Sequence, residues 1–264
     1  MPIERPTSLD DPRLAAYRNL KDRELAREGR RFLAEGEQLV RRLIASDFPV
    51  ESVLISERCA GRLSGIVPAG VPLFILPETE VHRVIGFKFH SGILACGVRK
   101  AGPSLEEALP AGEKMTVVVC PETSNAENLG ALVRISAALG ADAMVLGPQC
   151  CDPFWRQSVR VSMGSVFTLP LVQSDDLLRD LQRLRSQWNC ELIATVADSS
   201  AQPLNTARFS RRRALLFGNE AQGLPDELIS LCDRRVTIPM RLGTDSLNVS
   251  VSAAVFLFHL TRDV

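Results

Sequence analysis

The chain has 264 residues, 45% of them apolar and 23% charged, a composition that supports one or two packed cores and excludes a disordered, collagenous or small disulfide-stapled protein. Its 31 basic and 31 acidic residues cancel, so no global positive field collects nucleic acid, and any such partner has to be held by local patches. The first thirty residues lack the apolar core of a signal peptide, and the longest apolar run, 249–260, is short of a membrane span and contains two serines, so a soluble chain is expected.

Residues 1–100 hold 16 basic against 13 acidic side chains, the sign of a half that grips an anionic substrate. Between Arg13 and Arg42 the bases Arg18, Lys21, Arg23, Arg27, Arg30, Arg31, Arg41 and Arg42 are interleaved with Asp22, Glu24, Glu28 and Glu37, the pattern of a solvated helical face with i,i+4 pairs. A helical pattern follows at 37–44, then strand patterns at 50–55, 73–76 and 92–96, which together make a small α/β unit. Residues 99–114 break both periodicities and carry Gly, Pro and charge, so the boundary is placed there, giving domains 1–105 and 106–264.

Beyond it strands and helices alternate. The runs 116–120, 143–146, 192–196, 214–217 and 236–238 are continuously apolar, as strands covered on both faces should be. Helical patterns occupy 129–139 (closed by Gly140), 176–188, 225–232 and 246–260, so a mostly parallel α/β sheet is predicted. In such sheets ligands bind beyond the carboxyl ends of the strands. Three loops there stand out: one carrying Asn128, as a helix N-cap, and Arg134; one running from Gly218 to Pro225; and one from Pro239 to Ser250, with Ser246 as N-cap of the last helix.

No G-x-G-x-x-G follows a strand, and Gly218 to Gly223 has Walker spacing but continues with Leu224-Pro225, so neither a dinucleotide site nor an NTPase is supported. The histidines His82, His90 and His259 are widely separated and argue for no metal. Seven cysteines, an odd number with no C-x-x-C pair, argue against a zinc ribbon or a secreted framework and for a reducing cytoplasm. Cys150, Cys151 and Trp155 read as packing residues.

The three loops together resemble the motifs of the SpoU (TrmH-type) RNA ribose 2′-O-methyltransferases of the SPOUT superfamily. Asn128-x-Gly130-x3-Arg134 is similar to the first, Leu216-Phe217-Gly218-Asn219-Glu220-x2-Gly223-Leu224 to the second, and Ile238-Pro239-Met240 with Ser246-Leu247-Asn248-Val249-Ser250-x2-Ala253 to the third. The segment from Val159 to Ser165 is similar to a further family stretch. Residues 1–98 resemble the L30e-like substrate domain of many members, with Phe32-Leu33-Ala34-Glu35-Gly36 and Gly92-Ile93-Leu94-Ala95 as landmarks, although His90-Ser91-Gly92 departs from the commoner His-Gln-Gly form.

The resemblance implies an α/β fold with a trefoil knot, S-adenosylmethionine (AdoMet) held in the knotted loops, a homodimer, and methyl transfer to a ribose 2′-hydroxyl, in ribosomal RNA more than in transfer RNA. It implies cofactor contacts at Gly218, Ile238 and Leu247, with Thr195, Leu216, Asn219, Gly223 and Met240 in the same set. Physically, Gly218 and Gly223 allow a close approach to main chain, and Ile238, Met240 and Leu247 offer apolar surface to an adenine. Arg134 is the implied catalytic residue, as an unusual general base or as a cation stabilising developing alkoxide, with Asn128, Glu220, Ser246 and Asn248 as positioning groups. Arg156 and Arg160 are candidate contacts to RNA phosphate. Taken singly these residues read as caps or solvated side chains; their joint occurrence at three strand ends favours an enzyme over a noncatalytic RNA-binding module.

Overall fold

Apolar runs become strands and amphipathic runs become helices in the computed structural model, which describes residues 3–18, 30–63, 65–87 and 89–261. Lys21, Asp22, Arg23, Glu24, Arg27 and Glu28 of the interleaved stretch lie outside the described residues. The chain divides into two units: the described residues up to Ala101 together with Phe154–Phe167, and Gly102–Pro153 together with the described residues from Thr168 onward.

The first unit is a five-stranded sheet. Strands β1 (Ile3–Glu4), β2 (Arg31–Glu35), β3 (Val50–Ser56), β4 (Leu73–Leu76) and β5 (Ile93–Val98) lie in the order β1-β4-β3-β5-β2. β5 runs antiparallel to β2 and β3, and β4 parallel to β1 and β3. Helix α1 (Glu37–Ile44) falls where its periodicity puts it, buries Leu39, Val40 and Leu43, and carries the i,i+4 pair Glu37–Arg41 at 2.8 Å. Helix α2 (Glu78–Ile85) escapes the sequence reading, since only Val81, Val84 and Ile85 mark its apolar face, against Leu39, Val40, Leu43 and Ile44 in α1 of the same length. The core gathers Leu14, Tyr17, Leu33, Leu54 and Phe74, with the buried Tyr17 hydroxyl satisfied by Ser52 Oγ at 2.8 Å. The segment Phe154–Phe167 joins this unit through an aromatic cluster: Phe154 and Phe167 meet Phe32 and Phe48 at centroid distances of 5.1 to 5.8 Å.

The second unit opens with a helical turn in the stretch read as a linker. Ser104 and Glu107 form a capping box around α3 (Leu105–Ala108), and Leu105, Ala108 and Leu109 enter the core. One turn is too short to carry a period, which is why the sequence shows only its Gly, Pro and charge. Then come β6 (Met115–Cys120), α4 (Ala126–Ala138) and β7 (Ala143–Leu146); the first-unit helix α5 (Arg156–Val161); and β8 (Leu171–Gln173), α6 (Leu177–Trp188), β9 (Glu191–Thr195), β10 (Gln202–Pro203), β11 (Arg212–Phe217), α7 (Asp226–Leu231), β12 (Arg234–Thr237) and α8 (Val249–Thr261). The strands are all parallel, in the order β10-β12-β9-β11-β6-β7-β8. β8 and β10, at three and two residues, are below the length that sequence periodicity detects. The expected mostly parallel sheet is present. The inner residues of its central strands are fully buried, with Val117, Val119, Leu192, Ala194, Ala214 and Leu216 at 0% exposure.

Candidate active site

β11 lies between β6 and β9, and β12 lies beyond β9, so the loops leaving β9, β11 and β12 open side by side. The chain has by then gone outward through β7 and β8 and crossed back, and ligands bind α/β sheets at such reversals of strand order. The loops line a cleft of about 570 Å³, within the range of small-molecule sites. Its floor is apolar: Phe217 and Phe256, 1% and 2% exposed, meet edge to face at 5.8 Å. Leu224, Ile238, Met240 and Leu247 extend this surface, while Asp198, Glu220, Arg235 and Asp245 supply charge.

The loop after β11 doubles back on itself. Asn219 and Gly223 exchange main-chain hydrogen bonds at 3.0 and 2.8 Å, and the Asn219 side chain accepts from Ala221 N–H at 2.8 Å and donates to Glu122 at 3.1 Å. Gly223 takes the left-handed φ of 72° that glycine adopts freely. A Cβ on Gly218 would sit 2.3 Å from the Gly223 carbonyl carbon and 2.5 Å from Leu224 N. Gly218 is therefore required by the loop's own main chain. Thr195 Oγ1 donates to Leu216 O at 2.8 Å, tying β9 to β11. Of the expected cofactor positions, Thr195, Gly218, Asn219, Gly223, Ile238, Met240 and Leu247 line the cleft; Leu216 does not, being fully buried in the core beneath it.

The residues expected to act in catalysis come from three elements. Asn125, not Asn128, caps α4: its Oδ1 accepts from the N–H of Glu127 and Asn128 at 2.8 and 3.2 Å. Asn128 is thereby inside the first turn with its side chain released from capping, and its Nδ2 donates to Glu220 Oε1. A carboxylate only accepts, so Glu220 fixes the orientation of the Asn128 amide and leaves Oδ1 to take Asn248 Nδ2 at 3.0 Å. Asn248 Oδ1 accepts from Ser250 N–H and Oγ at 2.9 and 2.6 Å at the start of α8, which places Ser246 in the preceding loop and not at the cap. The packing of α8 on α4 brings Glu220, Asn128 and Asn248 into one hydrogen-bonded series. Glu220 and Ser246 line the cleft, whereas Asn128, Asn248 and Arg134 do not. Arg134 is exposed on α4 and makes no side-chain hydrogen bond or ion pair among the described residues. Arg156 pairs with Glu35 at 2.7 Å, and Arg160 is exposed, both on α5 in the first unit.

Sequence reasoning missed Asp198, three residues past the end of β9, although its place after a strand end was a usable signal. Its carboxylate accepts from Ser200 N–H and Oγ, each at 2.8 Å, and pairs with Arg235 at 3.3 Å. The Ser200 hydrogen bonds, then the Arg235 charge, hold this carboxyl below its usual range. Asp245 and Arg235 on the cleft wall were also missed.

A parallel α/β sheet with a glycine-built cleft at its strand reversal, and a carboxylate–amide series beside it, defines an enzyme domain that binds a small molecule next to reactive polar groups. The chain belongs to the SpoU rRNA methylase family, whose model matches residues 115–258. It is 36% identical to an uncharacterized tRNA/rRNA methyltransferase of Mycobacterium tuberculosis (strain H37Rv), over 96% of this chain and 90% of that protein. It is 29% identical to a 23S rRNA (guanosine(2553)-2′-O)-methyltransferase of Bacillus subtilis, over 87% of this chain and 88% of that one. The crystal structure of an AdoMet-bound rRNA methyltransferase from Sinorhizobium meliloti superposes with a TM-score of 0.81 at 25% identity, covering 99% and 98% of the two chains. The fold is accordingly that of the SpoU methyltransferases, the α/β class that the three motifs implied.

Proposed function

We propose that the protein is an AdoMet-dependent methyltransferase that modifies a ribose 2′-hydroxyl of ribosomal RNA, acting as a cytoplasmic homodimer. The observation that carries this reading is the series Glu220–Asn128–Asn248, one residue from each motif, beside a cleft that suits the cofactor. The cleft fits AdoMet chemically: its apolar floor and walls match a purine, and the carboxylates Asp198, Glu220 and Asp245 suit a cationic sulfonium. Thr195, Gly218, Gly223, Ile238, Met240 and Leu247 would hold the cofactor. When bound, AdoMet supplies an electrophilic methyl group for in-line displacement.

The chain's own residues orient the acceptor and its proton. Glu220, Asn128 and Asn248 lock one another and so hold the rim of the cleft in a single geometry, the preorganisation that converts a bimolecular encounter into a positioned one. Arg134 carries an unspent positive charge on α4. A guanidinium does not deprotonate near neutral pH, so its role is to grip the phosphate next to the target ribose and to stabilise the alkoxide that forms as the hydroxyl proton leaves to water.

Of the six exposed large apolar side chains among the described residues, five lie in or just before α8: Leu242 and Leu247 in the preceding loop, and Val251, Val255 and Phe258 at i, i+4 and i+7 on one face of the helix. Such a patch on a helix next to the cleft suits a two-fold interface with a second copy. The first unit, with its basic excess, selects the RNA. Mapping 2′-O-methylation in ribosomal and transfer RNA with and without the gene tests the whole reading. Loss of one ribosomal 2′-O-methyl is expected, and loss confined to transfer RNA would reassign the substrate.

A further inference from the structure

The turn after α5 is built around two left-handed residues, Met163 with φ 51° and Gly164 with φ 87°. A Cβ on Gly164 would lie 3.0 Å from Arg42 Cδ and 3.2 Å from Leu39 Cδ1, so both conformation and the close approach of α1 call for glycine there. The turn points the Met163 carbonyl at Arg42, which donates to it through Nη1, while Met163 N–H bonds the carbonyl of Arg160 at 3.2 Å. The turn thus joins the Arg42 side chain, from the last turn of α1, to the main chain of Arg160, in the last turn of α5, both within the first unit.

The arginines nearby differ in how their charge is used. Arg156 is paired with Glu35 at 2.7 Å and lies over the Phe87 ring at 5.2 Å. Arg41 is held by Glu37 at 2.8 Å and by the Arg62 carbonyl at 2.6 Å. Arg42 has a neutral carbonyl as its partner, and Arg160 is exposed with no side-chain hydrogen bond or ion pair among the described residues. A helix C-terminus offers at most about half a unit of negative charge, which leaves about half of each guanidinium charge uncompensated.

Resting on the RNA-methyltransferase reading, we infer that Arg42 and Arg160 form a phosphate grip through which the first unit holds the RNA backbone, with Arg156 serving to pack α5. Two exposed arginines on helix ends that meet at one turn suit phosphate, because each guanidinium presents planar, paired N–H donors to its oxygens.

The test uses the intact protein and a fluorescein-labelled RNA hairpin of mixed sequence, with binding followed by fluorescence anisotropy across a KCl series. Each phosphate contact contributes about 0.7 to 0.9 to the slope of log K against log salt, so the double variant Arg42→Gln/Arg160→Gln should flatten the slope by about 1.4 to 1.8. Arg160→Gln alone, at an exposed position, should give about half of that, and Arg42→Lys/Arg160→Lys should keep the wild-type slope. Arg156→Gln should keep the slope and lower the melting temperature. An unchanged melting temperature and far-ultraviolet circular dichroism spectrum report that the Arg42 and Arg160 variants are folded, and unchanged AdoMet affinity by calorimetry that the cleft is intact. A folded double variant with the wild-type slope overturns the grip while leaving the methyltransferase reading intact. A wild-type protein that binds AdoMet but shows no salt-dependent RNA binding overturns the RNA reading and the grip with it.

Discussion

At the scale of single residues, the role proposed for Arg134 predicts that chemistry and cofactor binding separate there. It stands outside the cleft with an unspent charge, so Arg134→Ala should leave AdoMet affinity nearly unchanged in calorimetry while lowering single-turnover methyl transfer by about a hundredfold or more, the size expected for a lost transition-state contact. Wild-type transfer rates in that variant would remove Arg134 from the mechanism. Gly218→Val should abolish AdoMet binding by a route the sequence does not reveal, since the new side chain strikes the Gly223 and Leu224 main chain and unfolds the loop itself. Faster amide exchange at residues 219–224 in the apo variant would record this, and native-like protection there would contradict it. Among the cysteines, burial pushes the Cys150 thiol up to about 11, so roughly one molecule in a thousand carries its thiolate at pH 8. Alkylation of native Cys150 should accelerate about tenfold per pH unit between pH 8 and 10; a plateau near pH 9 would show the thiol to be unperturbed.

At the scale of elements, α4, α8 and the loop after β11 are joined by Asn128. Removing its amide by Asn128→Ala cuts both Glu220 and Asn248 loose, whereas Asn248→Ala loses the Asn128 contact and the cap-like bonds to Ser250. Asn248→Ala should therefore cost about 1 kcal/mol in denaturant unfolding, the usual worth of a helix cap, and the two substitutions together should cost less than their sum because they share a hydrogen bond. Strict additivity would show that the series is not formed in solution. The sequence displayed the cap-forming residue types but not their assignment: Asn125, Asn128, Ser246 and Asn248 are all competent N-caps. Which of them caps is decided by where packing starts the helix, and Asn128 and Ser246 were misread for that reason.

At the scale of the whole molecule, the apolar face of α8 should make the protein a dimer, and light scattering should return about twice the chain mass. Removal of residues 1–101 should not leave an untroubled catalytic unit, because Phe154 and Phe167 lose Phe32 and Phe48 and would face water. The truncated chain should melt well below the intact protein in calorimetry. A truncated chain that melts cooperatively at the full-length temperature would show that the aromatic cluster contributes little.

By itself the sequence determined the parallel α/β architecture and the family, because continuous apolar runs and three motifs at strand ends are local patterns that survive without coordinates. It also determined most of the cleft, since a residue that follows a strand in such a sheet is carried to the binding edge by topology alone. Only the tertiary structure decided that Leu216 lies beneath the cleft, that Asp198 and Arg235 pair on its wall, and that Glu220, Asn128 and Asn248 join across 92 and 120 residues of chain. It alone decided, too, that Phe154–Phe167 belongs with the first unit. Contacts between residues far apart in the chain depend on which faces of which helices meet, and no periodicity within a single segment records that.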